Sequence, residues 1–152
     1  MSQENVEIVR GLLRAQVAQG TDLVPQTRDD ELGRAAQALC EPFLEPDFEF
    51  IDSAGLVRLG FRRRGRGWDA LRENYRQLLA AFESYEEEMH EIRDLGGGRV
   101  LVLGVARGRT RTGGVEVVQA GGAIFTVRSS KIARIELFLD RDEVLEAAGL
   151  RE

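Results

Sequence analysis

The sequence holds one cysteine, Cys40, and one histidine, His90. A single cysteine excludes an intrachain disulfide, and two such ligands far apart in sequence argue against a zinc site. We therefore expect no metal and no cofactor. Lys131 is the only lysine, so the basic charge is almost all arginine. A basic surplus is also missing: the net charge is −5, which disfavours a general nucleic-acid binder. No apolar run approaches the roughly 18 residues of a membrane span, and no apolar stretch follows a basic start as in a signal peptide. The expectation is a cytoplasmic protein with neither membrane nor nucleic acid among its partners.

What the chain does have is enough apolar sequence for one core. Its 152 residues are 43% hydrophobic, which suits a single domain over 1–152 that folds without staples. The richest stretch is Arg99 to Asp140. Val100–Arg107, Val115–Arg128 and Lys131–Leu139 read as three antiparallel strands, joined by a Gly- and Thr-rich hairpin and by Ser129-Ser130. Gly121-Gly122 inside the second strand marks a bend or a close backbone approach.

Three helices are expected ahead of these strands. Val6, Val9, Leu13 and Val17 repeat at helical spacing over 4–19, with Ile8 and Leu12 beside them. A second helix from Thr27 carries Leu32, Ala35, Ala36, Leu39 and Phe43 and stops near Pro42. Cys40 beside this stripe reads as a small buried hydrophobe. A third helix from Gly67 to Ser84 places Trp68, Leu71, Tyr75, Leu78, Leu79 and Phe82 on one stripe.

Between the second and third helices, Asp47–Asp52 alternates as a strand, with Phe48, Phe50 and Asp52 on one face and Asp47, Glu49 and Ile51 on the other. Ser53–Arg66 reads as irregular. Its Arg58, Arg62, Arg63, Arg64 and Arg66 are either a phosphate site or a solvated loop that answers the acidic surplus. Tyr85–Arg93 is expected to be a strand that leads into the turn at Gly96-Gly97-Gly98, with His90 a surface residue among carboxylates. Asp142–Ala148 is a short final helix, and Gly149 ends it.

Strands in series without crossover helices imply an α+β fold with an antiparallel sheet. Three N-terminal helices can cover one face. The apolar outer face then calls for a partner, and the simplest is a second copy, so a homodimer through the outer sheet face is expected.

ENVEIVR in the first helix, EPDFEFIDS as first strand, GWDALRENYRQLLAAF as third helix and AIFTVRSSKIARIELFLDRDEVLEAAGL at the end resemble the SnoaL-like group of the nuclear transport factor 2-like superfamily. The resemblance implies a cone-shaped curved sheet wrapped around three helices, with a short C-terminal helix and a deep apolar pocket. The superfamily holds ketosteroid isomerases, polyketide cyclases, dehydratases, epoxide hydrolases and non-catalytic binding modules, so fold does not settle function. Asp52 is similar in place to the general-base aspartate of the isomerases. Their oxyanion donors have no match: the first helix has no tyrosine, and Ala123 stands where the protonated aspartate is expected. Asp140 lies near the place where polyketide cyclases of this type keep an acid/base aspartate.

Each carboxylate also has a structural reading. Asp140 with Glu143 resembles a capping box for the last helix. Asp52 with Ser53 can be an exposed strand end. If Glu136 and Asp140 face inward with Phe138, they join Asp52 in an acidic group inside the cone. A one-residue slip would exchange them for Leu137 and Leu139. The expected function is binding of an apolar small molecule in a pocket lined by Phe50, Trp68, Tyr75, Phe82, Ala123 and Phe138. The alternative is a cofactor-independent isomerase, cyclase, dehydratase or hydrolase that uses Asp52 or Asp140, or both, as acid and base.

Overall fold

Turn chemistry and period-two alternation divide the chain where its glycines stand. In a computed structural model, which describes residues 2–18, 38, 40–52 and 64–150 (backbone alone at 2, 15–18, 72 and 74–79), the elements are α1 (Ser2–Ala18), β1 (Leu44–Asp52), β2 (Arg64–Arg66), α2 (Gly67–Ala80), β3 (Phe82–Gly96), β4 (Arg99–Thr110), β5 (Glu116–Arg128), β6 (Lys131–Phe138) and α3 (Arg141–Ala147). The helix expected from Thr27, save Ala38 and Cys40, and the segment Ser53–Arg63 lie outside the described residues. No helix among the described residues is long and apolar enough to cross a membrane.

The six strands form one sheet in the order β2-β1-β6-β5-β4-β3. It is mixed, because β1 runs parallel to β6 while every other pair is antiparallel. An all-antiparallel sheet was the expectation for strands in series. That rule covers neighbours in sequence, and β1 and β6 are joined only through the whole intervening chain. α2 touches β1 and β2 at one side of the sheet and β3 at the opposite edge. α2 follows β2 and leads directly into β3, so it joins the two edges of the sheet, and α1 lies against β3 to β6. This is the expected α+β cone.

Two element boundaries differ from the sequence reading. Arg64–Arg66 is a strand paired with Glu49–Ile51 rather than loop. α2 stops at Ala80, and Phe82 opens β3 instead of completing the helical stripe. The carbonyls at the helix end are taken by the β4–β5 hairpin: Arg111 Nε donates to Ala80 O at 3.1 Å and Arg111 N to Ala81 O at 3.1 Å. Phe82 turns its ring toward Tyr85, with centroids 5.5 Å apart.

The sheet buries both faces. On the inner face, Val100 and Val102 of β4 and Ala123, Phe125 and Val127 of β5 join Phe48 and Phe50 of β1, Leu71 of α2, and Val9 and Leu12 of α1. Cys40 belongs to this cluster, and burial pushes its thiol up to about 11, as befits an inert core residue. On the outer face, Leu101, Leu103 and Ile124 close on Val144 of α3, with Phe138 and Leu145 beside them. So part of the surface that was expected to need a second copy is covered by the chain's own last helix.

Candidate functional site

β1 supplies the first candidate. Its alternation is as expected: Phe48, Phe50 and Asp52 are buried, while Asp47, Glu49 and Ile51 are not. Asp52 is only 3% exposed, and it is the one buried charged side chain among the described residues. The reading of Asp52 as an exposed strand end is therefore excluded. Burial of a carboxyl costs free energy unless its environment compensates, so such a residue is a candidate for function.

The ladders show what shares its face. Asp52 stands opposite Leu137, Leu137 opposite Ala123, Ala123 opposite Val102 and Val102 opposite Ile92. Residues directly opposite one another point to the same face, so these form one row across the inner sheet. Below it lies the row Phe50, Ile135, Phe125 and Val100, which is closed core. Above it come Gly121, Gly104 and Met89, then Gln119, Ala106 and Glu87, then Val117, Gly108 and Tyr85. Exposure along this series is uneven: Met89 is 44% and Val117 37% exposed, while Tyr85 is half-buried and Gly108 is buried. Asp52 thus sits one row beyond the packed apolar end of the concave face and one row short of the exposed Met89.

The other sequence candidates scatter. Ala123 lies in the Asp52 row, and Phe50 lies in the closed row beneath it. Trp68 packs half-buried on the inner cluster, with its Nε1 buried and no hydrogen-bond partner for it among the described residues. Phe82 belongs to neither buried cluster, and its ring covers Gly108, where a Cβ would lie 2.6 Å from Phe82 Cδ1. The side chain of Tyr75 is outside the described atoms. Phe138 is on the outer face under α3, and Glu136, opposite Ile124, shares that face.

Asp140 follows β6 and caps α3. Its Oδ1 accepts the backbone N–H of Glu143 at 2.8 Å, as the capping reading expected. The acidic group of Asp52, Glu136 and Asp140 does not assemble, because the face that brings Leu137 beside Asp52 turns Glu136 away. Among the loop arginines, Arg64 and Arg66 ion-pair with Glu49 at 3.6 and 3.1 Å, and Arg134 joins at 3.8 Å. This agrees with the reading that arginines answer the acidic surplus. Arg58, Arg62 and Arg63 lie outside the described residues. His90 is exposed, with Nε2 3.4 Å from Glu88 Oε1.

Tyr85, Glu87, Met89 and Gln119 on the inner face were missed. Glu86-Glu87-Glu88 is a run of charge with no alternation of its own, and a register shift between Met89 and Glu91 breaks the pattern further on. Desolvation raises the Glu87 carboxyl to about 7. The Tyr85 phenol is raised as well, by burial first and then by the charge of Glu87.

The comparisons with known proteins fit this geometry. The model of the SnoaL-like domain family matches residues 31–135. No curated protein sequence matches the chain. TerC co-crystallised with polyporic acid is similar in structure at TM-score 0.65 and 18% identity, over 96% of this chain and 98% of that one. A nuclear transport factor 2-like protein from Burkholderia pseudomallei is similar at TM-score 0.66 and 17% identity, over 96% and 97%. A protein from Jannaschia sp. CCS1, named as a SnoaL-like polyketide cyclase, gives 0.65 and 16%, over 100% and 96%. The residues matched are more than half of the sequence, and the structural likeness extends over nearly all of it. The chain belongs to the SnoaL-like domain family and has the nuclear transport factor 2-like fold.

Proposed function

We propose that this chain binds an apolar small molecule on the concave face of its sheet, with Asp52 as the polar contact at the closed end. The observation that carries this reading is the position of Asp52: it is a buried carboxyl in an apolar row of Leu137, Ala123, Val102 and Ile92, one row beyond the packed core. Apolar concave surfaces with few polar groups are what small ligands use. TerC, similar in fold, was crystallised with a small molecule.

The burial of Asp52 also favours a second reading, proton transfer. A carboxylate there would take a proton from carbon next to a ligand carbonyl and return it elsewhere on the ligand. Ala123 offers only a methyl in that row, so a steroid isomerase of the known kind is not proposed. Native mass spectrometry of freshly purified protein should reveal a retained apolar ligand. Asp52→Asn should then lower its affinity, or its turnover, by about 10- to 100-fold, the worth of a hydrogen bond to a charged group. Unchanged binding and turnover in that variant would remove Asp52 from the site.

The working form we propose is a homodimer through the part of the outer face that α3 leaves open, where Val118 is 54% exposed. Light scattering at micromolar concentration should give twice the 16.9 kDa chain mass, and a monomeric mass would overturn the proposal.

A further inference from the structure

β4 runs into its hairpin with β5 through an arginine-threonine repeat, Arg107-Gly108-Arg109-Thr110-Arg111-Thr112. Of all the serines and threonines in the sequence, only Thr110 and Thr112 follow an arginine by three residues. Arginine at that distance ahead of a hydroxyl is a charge pattern by which one class of protein kinases selects its substrates. A pattern so short is weak by itself, but the structure separates the two threonines.

The Thr110 hydroxyl is occupied. It donates to Thr112 O at 2.9 Å and accepts the Val115 N–H at 2.9 Å, and the residue is half-buried. Thr112 is exposed in the turn, and its hydroxyl makes no hydrogen bond among the described residues. Gly113 and Gly114 follow it with positive φ, and a Cβ built on Gly113 would meet only the Val115 side chain, at 3.8 Å. Nothing there crowds the tip. Two guanidinium groups lie along the same hairpin. Arg109 Nη1 donates to Gly114 O at 3.3 Å, and its Nε lies 3.7 Å from Glu83. Arg111 Nε holds the Ala80 carbonyl at the end of α2. Arg107 is not counted, because it stands opposite Val118 on the face assigned above to a second copy.

We propose that Thr112 is the acceptor for an arginine-directed serine/threonine kinase, and that its phosphate loosens the corner between α2 and β3. In the transfer, Thr112 Oγ1 bonds to the γ-phosphorus of a nucleoside triphosphate held by the kinase. The bond from that phosphorus to the nucleoside diphosphate breaks, and the hydroxyl proton goes to the kinase's base. The product places nearly two negative charges and three strong acceptor oxygens beside Arg109 and Arg111. Their present partners are weaker. Two are neutral carbonyls, and the third is a carboxylate at 3.7 Å in a half-exposed, screened pair. Arg111 therefore exchanges Ala80 O for the phosphate, and a carbonyl at the end of α2 loses its donor. The Arg111 N–H keeps Ala81 O, so the hairpin stays in place. These residues lie outside the Asp52 row, and the site is independent of ligand binding there.

The test treats the folded full chain with magnesium, ATP and the catalytic domain of a calmodulin-dependent protein kinase, which selects arginine three residues ahead of the acceptor. Peptide mass mapping should place one phosphate on Thr112 and none on Thr110. Thr112→Ala should abolish labelling, and Arg109→Gln should slow it about tenfold, the worth of one hydrogen bond to a charged group. Amide hydrogen exchange in the last turn of α2 should then be faster in the phosphorylated chain than in the unmodified one. Arg111→Gln should raise it in the same place without phosphate. Label on Thr110, an undiminished rate in Arg109→Gln, or label only after thermal unfolding would overturn the acceptor site. Unchanged exchange in the phosphorylated chain would overturn the loosening of the corner.

Discussion

A Phe50→Ala variant should lose about 4 kcal/mol of stability, which shows as a lower urea midpoint with little change in slope. Phe50 is fully buried in mid-β1, where β1 is flanked by β2 and β6. Opposite it on β2 stands Gly65, and a Cβ built there would lie only 2.4 Å from the Phe50 ring. The ring occupies the space a side chain at 65 would need. Its removal leaves a cavity that the glycine cannot fill, so the cost belongs at the upper end for a buried aromatic. Such a loss is a large part of a typical domain's 5–15 kcal/mol. The pairing can be checked directly. Gly65→Ala should be costly alone and much better tolerated in the Phe50→Ala background, because the new methyl enters the vacated space. A loss below about 1 kcal/mol in Phe50→Ala would mean that the ring is not a packing centre.

Gly122→Ala should cost about 3 kcal/mol, more than most additions of one methyl group. The added Cβ would lie 2.4 Å from Val102 O, 3.2 Å from Leu103 Cδ2 and 3.3 Å from Val144 Cγ1. The first obstacle is backbone of the neighbouring strand and cannot rotate away. Relief requires β4 and β5 to separate, which weakens their ladder and lifts α3 from Leu101, Leu103 and Ile124. Chemical denaturation measures the cost, and hydrogen exchange at α3 amides should rise in the variant. Wild-type stability in Gly122→Ala would show that the strands have slack here. The glycine pair expected to mark a bend or a close approach thus includes a close approach, at Gly122.

Several features were legible because their physics is local. In β1, the period of two put Phe48, Phe50 and Asp52 on one face, and nothing distant is needed to decide that. The turn at Gly96-Gly97-Gly98 takes positive φ at all three residues, as glycine permits. Ser129 and Ser130 both take positive φ in the two-residue turn between β5 and β6. Asp140, three residues before Glu143, caps α3 as its spacing implied.

The site was legible only in part, because its faces depend on neighbours. A register shift near His90 sets the face of Tyr85, Glu87 and Met89, and a shift between Thr126 and Val127 interrupts the β5–β6 ladder. One unpaired residue reverses which side chains point inward, and no local pattern records it. The sequence by itself determined the alternation that makes Asp52 share a face with Phe48 and Phe50, and the α+β order of elements. Tertiary structure alone decided that β1 lies parallel to β6, that α3 covers the outer cluster, and that Glu87 joins the concave face. These depend on which strand lies beside which, a choice made by packing between segments far apart in the chain.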